Sequence, residues 1–121
     1  VHEFSLAVEI ADLATAHAEA AGLAQVSVLT LSVGSLASVE IEALRFALAS
    51  ALLGTPAEGA ELVIEELAAR ARCGQCGLEQ PIVERFAACA RCGAFGLRVI
   101  AGDALTLRSI AGSTARRHSC V

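Results

Sequence analysis

From Glu3 to Ala21 the chain has helical periodicity. Phe4, Leu6, Ile10, Leu13 and His17 fall near one stripe, and Gly22 supplies a C-terminal stop. Val26 to Val33 (VSVLTLSV) is β-branched and alternating, which predicts a strand closed by Gly34. Ser38 is placed to cap a second helix from about Val39 to Leu53, with Ile41, Leu44, Leu48 and Leu52 as its apolar stripe. Gly54, Thr55 and Pro56 break that helix, and Glu61 to Leu67 (ELVIEEL) reads as a second strand.

At Arg70 the texture changes. From Arg72 to Gly96 the chain is dense in Cys and Gly and loses helical period, which marks a separate module. Leu97 to Ile100 and Ala104 to Ile110 look extended, with Gly102 and Asp103 at a turn between them. The pattern predicts an α+β fold: a small sheet of about three strands packed by two helices, with an inserted four-cysteine, zinc-ribbon-like module. The expected organisation is a first domain over 1–69 plus 97–112, a metal-binding module over 70–96, and a flexible tail over 113–121.

Phe is the only aromatic residue in this 12.4 kDa chain, so the core must come from Leu, Val, Ile and Ala. A core of that size is modest, and a metal contributing to stability fits it. The net charge of -4 argues against broad attachment to nucleic acid, which requires clustered cations. No run of apolar residues is long enough for a membrane span, and the first residues lack a basic region followed by an apolar one. The cytoplasm is the expected compartment.

The chemistry concentrates in two places. Cys73-Gly-Gln-Cys76 and Cys89-Ala-Arg-Cys92 are two CxxC pairs, each followed by glycine (Gly77, Gly93). Two intervening residues let both thiolates of a pair turn toward one point, and the glycine admits a positive φ. Two such knuckles facing each other form a tetrahedral four-thiolate site, suited to zinc or an iron–sulfur cluster and not to hard cations. A redox role for the CxxC thiols competes with this, but redox pairs of that type carry one CxxC at a helix start. With all four thiolates committed, the site offers no open position for a substrate, and no other catalytic constellation is visible. An enzyme ranks last among the readings.

The second place is the amino terminus. The amine of Val1, the amide nitrogen of His2 and its imidazole can close a five-membered and a six-membered chelate ring on one metal. Planar nitrogen donors suit Ni(II) or Cu(II). Glu3 can fill a fourth position, by its carboxylate or by its own amide nitrogen. Methionine is absent from the chain; two readings of Val1 are a GTG start codon translated literally, in which case the first residue is methionine, and a residue exposed by removal of an initiator methionine. Both leave a free α-amine, whereas a longer natural chain cut here would not. A terminal His-Glu pair is otherwise commonly just solvated. His17 reads as a core-edge histidine, and His118 and Cys120 belong to the tail.

The opening VHEFSLA, together with the two knuckles, resembles the HypA/HybF family of nickel metallochaperones, whose members begin Met-His-Glu and carry a CxxC…CxxCG zinc module. Leu44-Arg45-Phe46, Ala57-Glu58-Gly59-Ala60, and Gly102 with Leu105 extend the similarity to about Ile110. The resemblance implies nickel on the Val1 amine, His2 and Glu3, with structural zinc on Cys73, Cys76, Cys89 and Cys92. It implies delivery of Ni(II) for maturation of nickel–iron hydrogenase and, in some members, urease. The implied partners are a HypB-type GTPase, a hydrogenase large subunit precursor and urease maturation proteins. Where the family commonly reads Gly-Glu-Leu-Ser-Gly, this chain has Gly34-Ser35-Leu36-Ala37-Ser38, and its arginine-containing tail exceeds the usual ending. The alternative is a zinc-ribbon module that binds a protein or nucleic acid and has no nickel function.

Overall fold

A computed structural model describes residues 2–114. The order of elements is α1 (His2–Ala21), β1 (Gln25–Gly34), α2 (Ile41–Ala51), β2 (Glu61–Leu67), β3 (Ala69–Arg72), β4 (Glu79–Ile82), β5 (Arg98–Ala101) and β6 (Leu105–Ser113). They form two three-stranded sheets, ordered β2-β1-β6 and β4-β3-β5, so the α+β class holds. Two compact units result: one holds the described residues up to 31, residues 39–64 and those from 107 onward, the other 32–38 with 65–106. The second unit takes in more of the chain than the Cys- and Gly-rich stretch 70–96. Of the expected tail, residues 115–121, including His118 and Cys120, lie outside the described residues, as does Val1.

In the first unit α1 packs against α2. The buried face of α1 is Ala7, Ile10, Ala11, Ala14 and Ala18, which corrects the expected stripe. Only Ile10 of that stripe is buried; Phe4 and Leu13 are about half exposed and His17 lies at the surface. Small side chains let a helix approach its neighbour closely, so a line of alanines makes a contact face that a count of bulky residues overlooks. At its C-terminus α1 ends in a Schellman pair, Leu23 N–H to Ala18 C=O at 2.8 Å and Gly22 N–H to Glu19 C=O at 3.1 Å.

The start of α2 also departs from expectation. Ser38 does not cap it; this residue sits at φ 58. Glu40 is the N-cap, with extended backbone (φ -85, ψ 111) and its side chain accepting the Ala43 N–H at 2.8 Å. Leu44, Leu48 and Leu52 are buried as expected, joined by Ala47. On the strand side, Val26, Leu29 and Leu31 of β1 are buried. Backbone bonds from Ala24 to Ser113 and from Gly34 to Ala104 make β6 antiparallel to β1. Those from Val26 to Pro56 and from Ser35 to Leu67 make β2 parallel to it, across the α2 connection.

In the second unit β3 pairs antiparallel with β4 (Ala69↔Ile82, Arg72↔Glu79) and with β5 (Ala71↔Val99). The ARAR segment alternates cleanly, its alanines inward and its arginines outward. Its core is small: Leu36, Ala69, Ala71, Cys73, Ile82, Cys89 and Leu97. Two of those seven are cysteines, so the sulfur chemistry is built into the packing. The Gly34–Leu36 segment threads a crowded junction. A Cβ on Gly34 would lie 2.1 Å from the Gly102 carbonyl, and one on Gly102 would lie 2.4 Å from the Ala69 Cα. Ser35 stitches the β2–β3 junction, donating its N–H to Leu67 at 2.8 Å and accepting the Ala69 N–H on Oγ at 3.0 Å.

Candidate metal centre

The two knuckles repeat one geometry. In the first, the Gln75 and Cys76 N–H groups point at Cys73 Sγ, at 3.3 and 3.5 Å. In the second, the Arg91 and Cys92 N–H groups point at Cys89 Sγ, at 3.4 and 3.5 Å. Each turn is closed by its glycine, Gly77 N–H to Cys73 C=O at 3.0 Å and Gly93 N–H to Cys89 C=O at 2.9 Å. Both glycines hold φ near +78, the left-handed conformation the sequence pattern called for. Further bonds, Cys73 N–H to Leu78 and Cys89 N–H to Ala94, give each knuckle a hairpin base.

The fold brings all four sulfurs within 4.8 Å of one another. Cys73 Sγ lies 3.6 Å from Cys92 Sγ, and Cys76 Sγ 3.6 Å from Cys89 Sγ; these cysteines are free thiols, not disulfides. Sulfurs at roughly 2.3 Å from a central ion would stand about 3.8 Å apart along each tetrahedral edge. The observed spacing fits a four-thiolate metal site, with Cys73 and Cys89 buried and Cys92 exposed.

The surroundings favour thiolate at the two anchoring sulfurs. The Cys76 and Gln75 N–H groups lower the Cys73 thiol pKa. The Gln80 side chain, followed by the Cys92 N–H, holds Cys89 down to about 5. At Cys92 an Ala94 backbone bond acts in the same direction, but Cys73, partial burial and the other sulfurs outweigh it, and the thiol is pushed up to about 11. A bound cation would remove that mutual opposition, because metal ligation requires deprotonated sulfur. Two residues brace the site: Gln80, which the sequence reading passed over, and Arg91, which it read only as positive charge around the knuckles. Gln80 reaches Cys89 Sγ and the Ala90 N–H, and Arg91 of the second knuckle donates to the Cys76 carbonyl of the first at 2.9 Å. Neither belongs to a metal-ligand motif, so spacing alone gave no signal for them.

At the other candidate site, His2 is the first residue of α1 and is exposed, while Glu3 is half-buried. The Glu3 carboxylate accepts the Glu40 backbone N–H at 2.9 Å, which lowers its pKa. Among the described residues the four cysteines are the group in which three or more side-chain donors converge. Among the described residues His2 and Glu3 are therefore adjacent but do not form such a group with a third His, Cys, Asp or Glu side chain. His17 lines a cavity of about 300 Å³ with Ala21, Leu107, Arg108, Ser109 and Ile110. All four phenylalanines are exposed by more than half: Phe4, Phe46, Phe86 and Phe95. Among the described residues, no helix is long and apolar enough to cross a membrane.

Comparison with known proteins gives a consistent answer. The family model described as "Hydrogenase/urease nickel incorporation, metallochaperone, hypA" matches residues 1–112. A hydrogenase maturation factor HypA from Chlorobium limicola is 42% identical over 110 residues, spanning 91% of this chain and 95% of that protein. A hydrogenase maturation factor HybF from Klebsiella pneumoniae is 38% identical over 112 residues, spanning 93% of this chain and 99% of that one. In fold, the chain is similar to the solution structure of the Ni metallochaperone HypA from Helicobacter pylori. The TM-score is 0.75 at 16% identity, covering 93% of this chain and 98% of that one.

Proposed function

The chain belongs to the HypA family of hydrogenase/urease nickel incorporation proteins, and we propose that it is a nickel metallochaperone that delivers Ni(II) for maturation of nickel–iron hydrogenase. Nickel is its cargo. The proposed donors are the Val1 amine, the amide nitrogen of His2, the His2 imidazole and Glu3. The observation that carries the reading is the exposure of His2 at the first turn of α1 beside a Glu3 whose carboxylate is already engaged by Glu40. That engagement favours the amide nitrogen of Glu3 over its carboxylate as fourth donor. Nitrogen donors in a plane match the preference of Ni(II). An exposed terminus lets donors be exchanged one at a time, as a carrier requires. Release of amine and amide protons makes binding weaken on acidification.

The four cysteines are proposed to hold structural zinc. The donor set and the 3.6 Å sulfur spacing support this, as does the absence of an open coordination position in a complete four-thiolate site. A bound zinc would supply a fixed tetrahedral cross-link between the knuckles; the hydrogen bonds described above orient the sulfurs that would receive it. The protein acts as a carrier, not as an enzyme, with a HypB-type GTPase and a hydrogenase large subunit precursor as proposed partners and urease maturation proteins as further acceptors. Free thiols in a small domain accord with the cytoplasm.

The nucleic-acid alternative loses ground in the arginines around the knuckles. Arg72 pairs with Glu79, Arg85 donates to the Leu36 carbonyl and Arg91 to that of Cys76, so these cations serve the fold. The direct test is complementation of a bacterial strain lacking its own family member. This chain should restore nickel-dependent hydrogenase activity, and its His2→Ala variant should not.

A further inference from the structure

Gln80 is a polar residue in a position that the strand pattern assigns to the interior. It alternates inward with Ile82 on β4 and is only 6% exposed. A buried carboxamide is costly unless its hydrogen-bonding groups are satisfied. Here they are. Oε1 accepts the Ala90 N–H at 2.8 Å, and Nε2 donates to Cys89 Sγ and to the Leu78 carbonyl, each at 3.4 Å. The Ala90 N–H can only meet an acceptor, so it fixes which end of the amide faces the sulfur.

This breaks the symmetry of the two knuckles. Among the described residues, Cys73 Sγ receives N–H groups from its own turn alone, Gln75 and Cys76. Cys89 Sγ receives the two equivalent bonds and a third from Gln80 on a different strand. The corresponding residue four places after the second knuckle is Gly96, which carries no side chain. The second knuckle is thus held at its buried sulfur by β4, while its other sulfur, Cys92, is exposed.

We propose that Gln80 is a positioning residue for the metal centre, clamping the Cys89 thiolate and the Ala90 backbone so that metal loss starts elsewhere, at the exposed Cys92. The proposal rests on the reading that the four cysteines hold zinc. An uncharged donor suits this position. It supports a thiolate without bringing a cation that would repel the metal, as an arginine would. Groups that orient metal ligands in this way typically influence affinity by about 10–100-fold.

The test uses the full zinc-loaded chain and two near-isosteric variants, Gln80→Glu and Gln80→Met. Gln80→Glu keeps an acceptor for the Ala90 N–H but loses the donor to sulfur; Gln80→Met loses both. Zinc release to an excess of the chromophoric chelator 4-(2-pyridylazo)resorcinol should be at least about tenfold faster in each variant. Wild-type release rates in Gln80→Glu would show that only the Ala90 bond matters and overturn the proposal, as would wild-type rates in Gln80→Met. The Co(II)-substituted proteins give a second readout, at the sulfur itself. Loss of the N–H···S bond should shift the thiolate-to-cobalt charge-transfer band to lower energy in both variants, and an unshifted band contradicts the assignment. A wild-type chain that binds no zinc would instead defeat the underlying zinc reading, and this is distinguishable by metal content before the chelator is added.

Discussion

The carboxylate of Glu3, in the first turn of α1, accepts the backbone N–H of Glu40, the N-cap of α2, at 2.9 Å. The segment proposed to carry nickel is thereby tied to the start of the second helix. The hydrogen bond lowers the Glu3 pKa below its ordinary 4.5. A carboxylate with a depressed folded pKa contributes stability above its unfolded value and loses it as pH falls through the folded one. The Glu40 amide proton resonance should therefore follow the Glu3 titration, with a midpoint below the ordinary carboxylate value. Glu3→Gln should abolish that titration; an amide shift that persists in Glu3→Gln would place the titrating group elsewhere.

The hydroxyl of Ser35 has structural work in this chain. Ser35→Ala leaves the part-buried Ala69 N–H without its acceptor, with an expected cost of about 1–3 kcal/mol. Urea denaturation should read this directly. Nickel stoichiometry should be unchanged.

Gly102 is fixed by sterics. At φ +84, with the Ala69 Cα 2.4 Å from where a Cβ would sit, Gly102→Ala forces the backbone of β3 away from the Gly34 turn. The expected loss is on the order of 4 kcal/mol. Low yield of soluble protein and a collapsed thermal transition would register it, while near-normal stability would contradict this junction.

Removal of the zinc proposed at the four cysteines should unfold the second unit's sheet, because Cys73 and Cys89 are part of its core as well as of the proposed ligand set. Cys73→Ser should behave like exhaustive chelation. Proton–nitrogen spectra should lose dispersion for β3, β4 and β5 in both cases. Retention of dispersed signals without metal would show that packing alone holds this unit.

The phenylalanines offer a contrasting expectation. Phe46 and Phe86 are more than four-fifths exposed, so Phe46→Ser and Phe86→Ser should each alter stability by no more than about 0.5 kcal/mol. A larger loss in urea denaturation would mean that these rings are packed.

How far these features could be read from residue order follows from their physics. The helices, β1, β2 and the paired knuckles were legible because each imposes a strong local pattern: a period, a β-branched run, or a cysteine spacing with its glycine. The face of α1 was misread because the large residues Phe4 and Leu13 suggested a stripe, whereas close helix packing selected Ala7, Ala14 and Ala18. β3 and β4 escaped notice. Their sequences, ARAR and EQPI, are short and poor in β-branched residues, and they become strands by pairing with each other next to a metal-knuckle core. The cap at Glu40 was hidden by Ser38, a better cap by residue type that instead adopts positive φ. At the candidate metal centre the four converging cysteines could be read from spacing. The contribution of Gln80 depends on the β4 strand facing Cys89, a contact created by tertiary structure.

The most direct test of the central claim is titration of Ni(II) into zinc-loaded protein with an authentic free terminus, verified by intact mass, beside its His2→Ala variant. About one nickel per wild-type chain is expected, with loss of that site in the variant and zinc content unchanged in both. Equal nickel binding by the two proteins would contradict that claim and remove the terminus as the place where cargo is held.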